Sequence, residues 1–210
     1  MRTRRFIELA GFPAAGKSSV AALLAEWLCL RGIAAAIITE PGSSPQVQPL
    51  KADWDFNAWT LCKTVENILE RDLLQDVDYF ILDRGLVDAM WWLRSFEDRG
   101  QINCSTARCL RAFARTPRWF NKQLCTIALR DRIGTALVRR RQDVGRIVNA
   151  QTFDALWDSY YGVVAELAVE APTYRIQVID TDTLTPADVL DRTLAVASSL
   201  DHTIAEQMSR

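Results

Sequence analysis

Gly11, Gly16, Lys17 and Ser18 stand in the order G-x-x-x-x-G-K-S within the stretch "ELAGFPAAGKSSVA". Glycines at this spacing let backbone N–H groups turn inward. A lysine and a hydroxyl then follow at the start of a helix, where the field favours anions. The chemistry is the binding of a chain of phosphates: Lys17 reaches the outer groups and the Ser18 hydroxyl suits Mg²⁺. Gly11, Ala14, Ala15, Gly16, Lys17, Ser18 and Ser19 are therefore the expected nucleotide-binding residues. A grip of this kind can serve phosphate transfer, a hydrolytic switch or mechanical work, and the rest of the chain must choose.

Three further signals bear on the choice. "DYFILDRG" is an apolar run ending in charge, so Asp83 can orient Mg²⁺ while Arg84 reaches an anionic acceptor group. Motor ATPases more often carry a second carboxylate where Arg84 stands, and "NKQL" at 121 lacks the Asp of the N-K-x-D signal for guanine. "TEPGSS" places Glu40 in a loop at the carboxyl edge of a parallel sheet, where ligands of such sheets bind. There Glu40 takes the proton of an attacking hydroxyl, or merely orients an acceptor that is already a phosphate. "RRRQDVGR" supplies Arg139, Arg140, Arg141 and Arg146, guanidinium groups able to stabilise charge on a moving phosphoryl group. Arg139 is assigned to the nucleotide, and Arg141 and Arg146 to catalysis. Trp54, Phe56, Asn57 and Trp59 form a candidate wall for a flat acceptor, and Asp88, one turn past Arg84, is a candidate partner for a sugar hydroxyl.

The elements that must position these groups follow from apolar periodicity. "RFIELA" (5 to 10) is a strand, and Val20, Leu23, Leu24, Trp27 and Leu28 recur at helical spacing behind the phosphate loop. Strands follow at 33 to 39, 78 to 85, 123 to 129 and 174 to 180. Helices are expected at 55 to 75, 86 to 97 and 106 to 115, and from "TPADVL", where Thr185 caps and Pro186 takes the first turn. "FDALWDSYYGVVAEL" is amphipathic. Strands alternating with helices imply a parallel sheet covered on both faces, a three-layer α/β sandwich.

With 210 residues the chain is expected to form a single domain, 1 to 210. The net charge of -1 disfavours nucleic acid as a partner held by bulk positive charge. Five cysteines without a C-x-x-C pair suggest neither a disulfide framework nor zinc, which favours a reducing cytoplasm. No apolar run is long enough to cross a membrane. The only histidine, His202, is expected in a solvated polar tail, so proton transfer falls to carboxylates.

The order "GFPAAGKSS", "TEPGSS", "DRG", arginine-rich segment and late "VID" before a terminal helix resembles the P-loop nucleoside and nucleotide kinases, closest to the thymidylate and deoxynucleoside kinases. The resemblance implies a five-stranded parallel sheet in the order 2-3-1-4-5, ATP with Mg²⁺ as cofactors, and an acceptor pocket beside strands two and three. It also implies a mobile lid over about 139 to 149. Carried over, Lys17 and Ser18 hold ATP and metal, and Glu40 and Arg84 face the acceptor. Thymidylate kinases usually place Arg before this Glu; Thr39 stands here, which leans the reading toward a hydroxyl acceptor. The expectation is a kinase for a small nucleoside, nucleotide or similar hydroxylated compound, with homodimerisation left open. Its rivals are a kinase for an antibiotic-like molecule or a modified base in DNA, and a nucleotide-dependent switch.

Overall fold

The computed structural model describes residues 5–12, 15–41, 53–131 and 150–209. Five parallel strands form one sheet: β1 (Phe6–Gly11), β2 (Ala35–Ile38), β3 (Tyr79–Asp83), β4 (Gln123–Arg130) and β5 (Arg175–Asp180). Their spatial order is β2-β3-β1-β4-β5, as the family resemblance implied. All six residues of β1 are buried, as its central place requires, and β3 and β4 are buried along nearly their whole length. Strands covered on both faces have no reason to alternate.

Two groups of helices cover the sheet. Helices α1 (Lys17–Cys29) and α7 (Pro186–Ser198) pack on each other and on the strands. Helix α3 (Leu86–Asp98) lies against β1, flanked by α2 (Trp54–Arg71), α4 (Cys104–Ala114) and α6 (Ala150–Glu170). Trp91 of α3 is fully buried among Phe12, Trp157 and Tyr160, and its indole N–H donates to the Leu156 carbonyl. This aromatic cluster ties the start of the expected phosphate loop, at Phe12, to the core. Arg111 of α4 joins Glu97 of α3 at 2.5 Å and Glu166 of α6 at 3.3 Å, and Arg115 joins Glu166 and Glu170.

Element ends differ from the sequence reading where local signals are weak. The second strand is shorter than 33 to 39, because Gly32 in a left-handed conformation (φ 74°) turns the chain and Ile33 is buried in that turn. The second helix ends at Arg71 rather than near 75, and a short α5 (Pro117–Phe120) was not anticipated. Thr185 caps α7 in a reciprocal capping box with Asp188, with Pro186 in the first turn. The polar tail is itself helical in α8 (His202–Met208): Asp201 accepts from the Thr203 N–H and Ile204 is fully buried. His202 is exposed there, beside Glu206. Among the described residues, no helix is long and apolar enough to cross a membrane.

Candidate functional site

Because all five strands are parallel, their carboxyl ends share one edge, and pairing of Leu9 with Asp83 and Gly11 with Leu129 brings β1, β3 and β4 to that edge together. The segment expected to bind phosphates leaves β1 there. Gly11 has φ 138°, and a Cβ on it would lie 2.4 Å from the Leu129 carbonyl oxygen, so the close passage of β1 beside β4 requires glycine. Gly16 (φ 92°) sits immediately before α1, with no side chain to block the helix N-terminus.

Lys17 is buried, and its ammonium donates to the carbonyls of Gly11 (3.0 Å) and Phe12 (2.8 Å), folding back across the loop. Loss of hydration, with the Arg84 cation nearby, pulls its pKa down from 10.5 to about 7. The Ser18 hydroxyl donates to Asp83 at 2.5 Å, so α1 and the end of β3 present two oxygen ligands side by side. Two such oxygens suit a hard cation that also keeps waters and phosphates in its shell.

Arg84 follows Asp83 with φ 70°, a left-handed conformation that costs a non-glycine residue about 1–2 kcal/mol. Its N–H donates to the Leu9 carbonyl at 3.0 Å, which helps to hold the turn. The guanidinium bonds Asp88 at 2.7 Å and lies 3.1 Å from Glu40, a close ion pair without the alignment of a hydrogen bond. Burial alone would lower the pKa of Arg84; the Asp88 and Glu40 carboxylates outweigh it and raise it. Asp88 is 2% exposed and also accepts the Gly11 N–H at 3.2 Å, so both of its oxygens are engaged within the protein. Lys17, Ser18, Asp83, Arg84, Glu40 and Asp88 thus form one connected constellation.

The other expected residues lie differently. Asn57 is buried and its amide donates to the Ala89 carbonyl at 3.0 Å, fastening α2 to α3. Trp54 is partly buried against the core. Trp59 lines an open cavity of about 340 Å³ between β2 and α2 with Thr39, Pro41, Lys63 and Arg71, and neither Arg84 nor Asp88 belongs to that wall. Ala15 is buried and Ser19 exposed at the start of α1. Ala14, Arg139, Arg140, Arg141 and Arg146, with the expected lid, lie outside the described residues.

Sequence reasoning passed over Glu8. In the middle of β1 it is fully buried, accepts the N–H groups of Asp88 (2.7 Å) and Val87 (3.1 Å), and lies 3.3 Å from the Thr126 hydroxyl. Burial pushes its pKa up from 4.5 to about 7 against the pull of those bonds. The available signal was one carboxylate inside an otherwise apolar strand.

No protein-family profile matches the chain, and no curated protein matches its sequence. Solved structures do match in shape. A deoxyadenosine kinase from M. mycoides with bound dCTP superposes with a TM-score of 0.67 at 17% identity, over 92% of this chain and 99% of that one. The same kinase with bound dATP gives 0.65 at 18% identity, over 90% and 97% of the two chains. Thymidylate kinase from Candida albicans gives 0.59 at 15% identity, over 94% and 92%. The chain has the fold of the P-loop nucleoside and nucleotide kinases.

Proposed function

We propose that the protein is an ATP- and Mg²⁺-dependent phosphotransferase that moves a terminal phosphoryl group to a hydroxyl of a small, nucleoside-like acceptor in the cytoplasm. The observation that carries this reading is the juxtaposition of two half-sites. Lys17, Ser18 and Asp83 are arranged for a nucleoside triphosphate and a metal, and the Glu40–Arg84–Asp88 chain begins at the very next residue. A hydrolytic switch needs the first half only. The shared fold and the five free cysteines fit the same reading.

In this reading the backbone N–H groups of the loop and the start of α1 bind the phosphates. Lys17 exchanges its two carbonyl partners for phosphate oxygens. Ser18 and Asp83 would hold Mg²⁺, which when bound would supply neutralisation of the charge on the transferred group. Glu40, oriented by Arg84, accepts the proton of the acceptor hydroxyl. The lid arginines Arg139, Arg141 and Arg146 belong to the proposal as charge-stabilising groups. Thr39 leaves the acceptor side without the second arginine that a monophosphate acceptor would favour.

A phosphate-transfer screen over nucleosides, nucleoside monophosphates, aminoglycosides and modified DNA, with Lys17→Ala as control, tests it. The expected outcome is acceptor-stimulated ATP loss with a phosphorylated nucleoside as product, abolished or strongly reduced by Lys17→Ala. Slow ATP hydrolysis indifferent to every acceptor, or unchanged turnover in Lys17→Ala, would overturn the reading.

A further inference from the structure

The first turn of α3 has no cap of its own. Gly85 stands at its N-cap and offers no side chain, yet the N–H groups of Val87 and Asp88 are buried and need acceptors. Both find them on Glu8, a residue 79 and 80 positions away in β1, in the manner of a capping side chain supplied through the sheet. The approach is only open because residue 85 is glycine: a Cβ there would lie 2.6 Å from the Glu8 carboxyl carbon.

What this turn carries gives the cap its consequence. Asp88 accepts the Gly11 N–H at 3.2 Å with one oxygen and the Arg84 guanidinium at 2.7 Å with the other. A rotation of the first turn of α3 therefore moves the start of the phosphate loop and the acceptor-side arginine together. We propose that Glu8 is a positioning residue: by capping α3 from inside the sheet it fixes Asp88, and through Asp88 it holds Gly11 and Arg84 in register with each other. The kinetic part rests on the phosphotransferase reading; the structural part does not.

The surroundings make the state of Glu8 a usable readout. Asp88 on α3 is the titratable group that acts on it, and Glu8 in turn acts on Cys125 on β4, Tyr160 on α6 and Tyr174 ahead of β5. Burial pushes Cys125 up to about 12 and both tyrosines well above 10, so these stay neutral near pH 7, where Glu8 itself titrates. Beyond Glu8 a chain runs from Thr126 to Tyr174 at 2.7 Å and on to Gln123. As placed, Thr126 donates to Glu8 and Tyr174 donates to the Gln123 carbonyl oxygen, which leaves the close Thr126–Tyr174 contact without a hydrogen unless a protonated Glu8 donates to Thr126 instead. Turning the Gln123 amide over reverses every donor and fits an ionised Glu8, and it gives the unpartnered Gln123 amide nitrogen a use. The ionised form grips the two α3 amides harder, because hydrogen bonds to a charged acceptor are roughly twice as strong.

Two variants test the proposal: Glu8→Gln keeps the shape and removes the charge, and Gly85→Ala keeps the charge and displaces the carboxylate. In the free protein, amide hydrogen exchange at Val87, Asp88 and Gly11 is expected to quicken about tenfold or more in both, with Met90 and Trp91 one turn further unchanged. At saturating ATP, wild-type kcat is expected to rise between about pH 6 and about pH 8, and the Glu8→Gln profile to be lower and flat there. Unchanged exchange at Gly11 in both variants, or a wild-type pH limb that survives Glu8→Gln, would overturn it. If wild type transfers phosphate to nothing, the functional reading falls, and exchange at Gly11 still decides whether Glu8 holds the turn.

Discussion

Lys17 offers a test that needs no acceptor. Its ammonium is buried, satisfied by two carbonyls and crowded by Arg84, with a pKa near 7 rather than 10.5. A triphosphate in the loop brings several negative charges within contact of it and reverses that balance, since each nearby anion favours the charged amine. Binding should therefore draw a proton onto Lys17 at any pH above about 7. The sign follows from linkage. The complex holds more protons than the free protein in that range, so ATP affinity is full below about pH 7 and falls about tenfold per pH unit above it, until the pKa of the bound state is reached.

At pH 8 a group with a pKa near 7 is about one-tenth protonated, so binding should take up about 0.9 proton per ATP. The second ionisation of a phosphate lies near 6, so the nucleotide contributes little at pH 8. Calorimetry of a non-hydrolysed ATP analogue with Mg²⁺, in two buffers of different ionisation heat, reads this number directly. Lys17→Arg is the control, because a guanidinium keeps its proton throughout and the uptake should vanish. Wild-type uptake under about 0.2 proton, or affinity constant between pH 7 and about 9, would refute the argument that burial has discharged this lysine.

Two other perturbations separate the roles assigned above. With a hydroxyl acceptor, Glu40→Gln is expected to lower kcat by about 10²- to 10⁴-fold with ATP binding unchanged. With a monophosphate acceptor that variant would be mild, and Arg84→Ala would chiefly raise acceptor KM; measuring both variants on one acceptor decides between them. Away from the site, Arg111→Ala takes the ion-pair partner from Glu97 and leaves Glu166 to Arg115 alone, with the two carboxylate side chains only 17% and 20% exposed, and is expected to cost about 3 kcal/mol in urea unfolding. A loss below about 0.5 kcal/mol would mean that water replaces the guanidinium without penalty.

The donor half of the site was legible because its geometry is local. Gly11 to Ser18 are eight consecutive residues running from the end of β1 to the start of α1, so the proposed phosphate grip is written in one stretch of sequence, and the strands beside it announce themselves as apolar runs. The acceptor half is assembled from the ends of different strands. Asp88, expected from its place one turn past Arg84 as a partner for a sugar hydroxyl, shows what a linear reading does not see: the Gly11 amide 77 residues away engages one of its oxygens. Asn57 and Trp59 likewise sit close in sequence, but helical geometry sends one to the α2–α3 contact and the other to the β2 edge. Glu8 is the extreme case. In sequence it only interrupts a hydrophobic run, which counts against a strand. In the fold it is the one residue of β1 whose side chain reaches both the first turn of α3 and the polar chain through Thr126. An ionisable group is costly at the centre of a sheet, and near pH 7 that cost is only partly offset by its bonds. An apolar residue there would avoid the cost but leave two helix amides without acceptors and Asp88 without a fixed place, so the carboxylate is explained by what it positions rather than by the stability of β1.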